Sequence, residues 1–102
     1  MNTETKQRTY HIEGRRWFER TNGNTYHSVR IFSDGEEIAY LPYQYGYGDQ
    51  CLTTALDWLV DSGNIEAQYH DNGMPKHTGT LFIREHLNST YSIVDVGRKK
   101  DL

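Results

Sequence analysis

The chain of 102 residues has a single cysteine, Cys51. One cysteine excludes an internal disulfide and any zinc site built from several cysteines, and it fits a reducing compartment. Long apolar runs are missing too. Met1 to Arg8 are polar, so no signal peptide is expected, and no segment approaches the length of a membrane span. Hydrophobic residues make up only 35% of the chain, below the usual globular share, which predicts a thin core. Internal repeats and low-complexity tracts are absent. So is any strong catalytic or cofactor-binding signature, which makes a non-enzymatic protein without cofactor the expectation.

Aromatic residues are plentiful, at 13% with eight tyrosines, which argues against disorder. The length suits one domain with a modest core. A net charge of −3 conceals an uneven distribution. Residues 1–32 carry six basic side chains against three acidic ones, and residues 33–95 carry ten acids against Lys76 and Arg84. Arg98, Lys99 and Lys100 then face only Asp101. The chain is basic at both ends and acidic between.

Local pattern predicts an α+β fold. Residues 1–8 are expected to fray, 9–97 to form the domain and 98–102 to be a basic tail. Thr9 to Phe18 reads as a strand, with Gly14 marking a bulge or a break between two short strands. Asn22-Gly23-Asn24 signals a turn. From Thr25 to Phe32, Val29 and Ile31 fall on one face, with Tyr26, Ser28, Arg30 and Phe32 on the other. After a turn at Ser33–Glu36, a third strand runs from Glu37 to Leu41 and closes at Pro42. Turns this short predict a three-stranded antiparallel sheet.

Leu52, Ala55, Leu56 and Leu59 recur at i, i+3, i+4 and i+7, one apolar stripe on a helix over Gln50–Ser62 that covers the sheet. Asp49 is its expected N-cap, and Gly63 or Asn64 its stop. Residues 64–79 read as a loop rich in Gly, Asn, Asp and His. Thr80 to Asn88 suits either a short helix or a strand, with helix slightly favoured. Tyr91 to Val96 is a last strand.

Four segments carry a resemblance. They are Arg15-Arg16-Trp17-Phe18, Gly23-Asn24-Thr25-Tyr26-His27-Ser28-Val29, Tyr45-Gly46-Tyr47-Gly48-Asp49-Gln50 and Asp95-Val96-Gly97-Arg98-Lys99-Lys100-Asp101-Leu102. Together they resemble a group of small tailed-phage accessory proteins, from about Arg15 to the C-terminus, whereas the 64–79 loop matches nothing in that group. The resemblance implies a phage protein acting in the cytoplasm of an infected bacterium, against a host defence complex such as CRISPR. No catalytic residue is carried over, because the group has no assigned activity.

Candidate sites follow from residue type. Gly46-Tyr47-Gly48-Asp49 before a helix suggests a phosphate cradle. It lacks the Lys-Ser/Thr of a phosphate-binding loop, and Asp49 puts a carboxylate where the anion would sit. Tyr43, Tyr45 and Tyr47 alternate and would project to one side of an extended segment, either as a partner-binding surface or as padding at the core edge. Asp57 and Asp61, i, i+4 on the helix side away from the stripe, add an acidic partner-binding candidate or are simply solvated charge.

Arg15, Arg16, Trp17, Tyr26 and Arg30 define the alternative, a basic aromatic sheet face for nucleic acid. The acidic pI of about 5.9 and the nearby Glu13, Glu19, Glu36 and Glu37 oppose it. His70-Asp71 with His77 is the nearest thing to a metal site, but its spacing fits no standard zinc pattern. His27-Ser28 lacks a third partner for a catalytic triad. Cys51 is either activated by the helix start or a buried filler.

Overall fold

Short turns and alternating strands dictate the first half of the molecule. A computed structural model describes residues 9–78, 80 and 82–102, so the expected fraying of residues 1–8 lies outside the described residues. Strands β1 (Tyr10–Glu19), β2 (Asn24–Ser33) and β3 (Glu36–Tyr45) form an antiparallel meander. The β2–β3 turn has Asp34 and Gly35 both at positive φ, 51° and 89°, the mirror-image turn whose twist matches a hairpin.

The last strand corrects the predicted three-stranded antiparallel sheet. β4 (Thr90–Val96) lies beside β1 and runs parallel to it, pairing His11 with Thr90 and Trp17 with Val96, in a mixed sheet ordered β3-β2-β1-β4. A parallel neighbour needs a long crossover. Helix α1 (Gln50–Asp61) and the loop after it supply one. Residues within Thr80–Asn88 form a π-helical turn over Phe82–His86, which favours the helical alternative there. Leu81 lies outside the described residues.

α1 seats its whole stripe. Leu52, Ala55, Leu56 and Leu59 are fully buried against Ile12, Val29 and Ile31 of the sheet, with Phe82, Ile83 and Leu87 completing the core. The helix ends where expected: Asn64 N–H donates to the Leu59 carbonyl at 2.9 Å and Gly63 N–H to that of Val60 at 3.0 Å, with Gly63 at φ 82°. Its start differs. Asp49 occupies the N-cap position but its side chain makes no capping hydrogen bond. Asp49→Ala should therefore change stability by less than about 0.5 kcal/mol, against about 1 kcal/mol for a working cap. Urea unfolding of the two proteins measures the difference.

Two further expectations are revised by packing. Gly14 marks neither a bulge nor a break: β1 is continuous there, paired with Val29 and Ile93. Glycine is there because α1 presses Cys51 against the strand, with Sγ only 2.6 Å from where a Cβ would sit. Likewise β3 does not end at Pro42. The pairing jumps from Val29–Leu41 to His27–Gln44, so Pro42 sits in a bulge on an edge strand and its missing N–H removes no ladder bond. Among the described residues no helix is long and apolar enough to cross a membrane.

Candidate functional site

The sheet has a covered face and an open one. Ile12, Val29 and Ile31 point to α1, so their strand neighbours point away from it. On that open side the β1–β2–β3 pairing brings four rings into one cluster. Trp17 and Tyr26 stack at 6.0 Å, Tyr26 and Tyr43 stack at 4.8 Å, and Tyr45 meets Tyr26 edge-on at 5.7 Å. Tyr43 and Tyr45 remain 42% and 65% exposed. The bulge at Pro42 is what lets both reach the same partner ring, one diagonal to Tyr26 and one opposite it. Tyr47 lies past the end of β3, in the turn before α1, and is 75% exposed.

The basic tail crosses this open face. After β4, Lys99–Asp101 form a single 3-10 turn. Arg15 Nη1 donates to the Asp101 carbonyl at 3.0 Å, and the Tyr40 hydroxyl donates to that of Leu102 at 3.1 Å. Those two anchors stand on β1 and β3, so the tail spans β2 between them. Leu102 and Ser28 are buried accordingly. Lys99 Nζ sits 4.8 Å from the Tyr43 ring centre. Tyr40, Pro42, Tyr43, Lys99, Lys100 and Leu102 line a shallow, solvent-open cleft of about 680 Å³ between tail and edge strand.

The sequence-derived site residues fall into three places. Tyr43 and Tyr45 join Trp17 and Tyr26 on the open face. Asp57 and Asp61 are exposed on α1, with the sheet between them and both Tyr43 and Tyr45, so the five partner-binding candidates do not form one surface. Of the nucleic-acid candidates, Arg15 and Arg30 share the open face with Trp17 and Tyr26, but both are engaged. Arg15 holds the tail and lies 3.8 Å from Glu13, and the Arg30 guanidinium lies 4.4 Å from the Tyr40 ring centre. Arg16 points to the other side, where it binds Asp95 at 2.8 and 3.2 Å and the Gly48 carbonyl at 2.9 Å.

Three remaining candidates prove to be packing elements. His27 is buried, its Nδ1 3.2 Å from the Gly46 carbonyl and its Nε2 2.8 Å from the Thr54 hydroxyl. A carbonyl only accepts, so Nδ1 carries the proton and Nε2 accepts from Thr54. Burial lowers the His27 pKa, with the Gly46 bond partly offsetting it. Cys51 is buried and burial raises its pKa, outweighing the opposing influence of Arg16, so it is a filler and not an activated thiol. His77 is buried edge-on to Tyr69 and Phe82, 3.6 Å from Asp57, while His70 is exposed on a short turn of the loop. Among the described residues no three His, Cys, Asp or Glu side chains are grouped to hold a metal ion.

Sequence reasoning missed Lys99, Lys100 and Leu102 as site residues. The one signal available is an apolar leucine closing an otherwise charged tail. No family model matches the chain, and no curated protein or solved structure does.

Proposed function

We propose that this protein works by binding another protein through the aromatic end of its open sheet face, as a phage accessory protein that inhibits a bacterial defence complex such as CRISPR. The observation that carries the binding part is the cluster of Trp17, Tyr26, Tyr43 and Tyr45, whose outer rings stay exposed although the core is short of apolar residues. Tyrosines arranged this way offer rigid contact area with a polar tip, the composition of interface hot spots. The phage context and the action in the host cytoplasm rest on the sequence resemblance.

Capture of host proteins from bacterial lysate, compared between the wild type and a Tyr45→Ala/Tyr47→Ala double variant, tests it. Both side chains are more than half exposed, so the fold should survive. Affinity for the partner is expected to fall roughly tenfold or more. Equal recovery of the same proteins by both forms would remove the basis of the reading.

Nucleic acid is the second reading, supported by Lys99 and Lys100 joining Arg15, Trp17, Tyr26 and Arg30 on one face. The rings weigh against it. Trp17 and Tyr43 each stack on Tyr26, which occupies ring surface that a base would need for stacking. Phosphate contacts would also make affinity fall steeply with salt.

A further inference from the structure

We infer that the cleft between the C-terminal tail and β3 seats an acidic protein segment carrying one apolar anchor side chain. The inference rests on the protein-binding reading and names the chemistry of the partner. Two kinds of surface meet in the cleft. Pro42, Leu102, Tyr40 and Tyr43 give it apolar surface, and two cationic residues, Lys99 and Lys100, also line it. Among the described residues no acidic side chain lines it, and the neighbouring Asp101 is engaged by Arg98 at 3.4 Å. Positive side chains beside an apolar wall complement a leucine-sized side chain flanked by carboxylates.

Ring contacts favour a peptide over a nucleic acid. Tyr43 has Tyr26 stacked on it at an interplanar angle of 15° and the Lys99 ammonium 4.8 Å from its ring centre, so its ring already carries two contacts. Tyr40 carries the Arg30 guanidinium. A base stacking here would compete with these contacts, whereas an aliphatic side chain needs only the apolar wall. β3 is also an edge strand, paired on one side only, so its outer backbone groups can meet an extended segment. Arg15 lies outside the cleft but holds one wall in place through the Asp101 carbonyl, which makes it a positioning residue.

The experiment uses the full chain and a panel of short, end-blocked peptides with glutamates and aspartates around one leucine, isoleucine or phenylalanine, followed by fluorescence anisotropy at low and high salt. At least one peptide should bind saturably and more weakly as salt rises. Lys100→Glu should weaken it roughly tenfold, and Lys99→Glu/Lys100→Glu at least as much. Lys100 carries the test because, unlike Lys99, it is not stacked on Tyr43, and unchanged thermal unfolding will show that the variant is folded. Lys76→Glu, the same charge change in the loop beyond α1, should have no effect. Arg15→Ala should weaken binding without altering the cleft lining.

The inference is overturned if no peptide binds, if a lysine-substituted panel binds equally, or if Lys76→Glu weakens binding as much as Lys100→Glu. Displacement of the peptide by a single-stranded oligonucleotide at lower concentration than by unlabelled peptide overturns it as well. Should the panel fail while host-protein capture still depends on Tyr45 and Tyr47, the acidic partner falls and the protein-binding reading stands. Should Lys100-dependent binding appear while capture ignores the tyrosines, the acidic partner stands and the aromatic end falls as the docking surface.

Discussion

Gly14→Ala is expected to destabilise the domain by about 1–3 kcal/mol. Two effects oppose each other at this position. Alanine loses less backbone entropy on folding than glycine, which by itself would stabilise by about 0.4–1 kcal/mol where the backbone conformation allows it. The added Cβ, however, would lie 2.6 Å from Cys51 Sγ and 3.2 Å from Cys51 Cβ. Cys51 is fully buried in the first turn of α1, and β1 is paired on both sides, so neither has room to withdraw. The clash therefore outweighs the entropy. Urea unfolding followed by tryptophan fluorescence gives the sign directly, and a variant as stable as the wild type would sink the account. Adding Cys51→Ala removes the shorter contact, so the double variant should recover about 1 kcal/mol relative to additivity.

The second large effect is centred on His27, which ties the turn at Gly46 to α1 through Thr54. His27→Phe deprives the buried Gly46 carbonyl of its donor and should cost about 1–3 kcal/mol near neutral pH. That loss should itself depend on pH. Burial lowers the folded-state pKa of His27 below its ordinary value of 6.5, so on acidification the unfolded chain takes up the proton first. The His27 contribution is thus complete above pH 6.5 and declines as the pH falls below it. The gap between wild type and His27→Phe should narrow from pH 7 towards pH 5, measured by unfolding at each pH. A gap that widens on acidification would contradict the assignment.

Legibility in the sequence tracks distance along the chain. The alternation of Val29 and Ile31 and the stripe of Leu52, Ala55, Leu56 and Leu59 are readable because strand and helix periods involve only near neighbours, and all six are fully buried. The Gly63 stop is readable for the same reason. Asp49 was a fair cap by residue type, yet capping depends on a side-chain torsion that spacing does not specify. Pro42 reads as a strand end by its missing N–H. Only the edge position of β3 and the offset against β2 let the strand continue through it.

For the site, the sequence by itself determined which residue types were available: exposed-leaning tyrosines at Tyr43, Tyr45 and Tyr47, arginines near the aromatic strands, and a basic tail. Tertiary structure alone decided which of them meet. Pairing of β1, β2 and β3 brings Trp17 and Tyr26 to Tyr43 and Tyr45, while the sheet itself separates these from Asp57 and Asp61. Running β4 parallel to β1 releases the tail at the end of the sheet from which it crosses back to Arg15 and Tyr40, turning Lys99, Lys100 and Leu102 into the wall of a cleft. Those contacts join residues more than sixty positions apart in the chain, and only closure of the whole sheet brings them into reach.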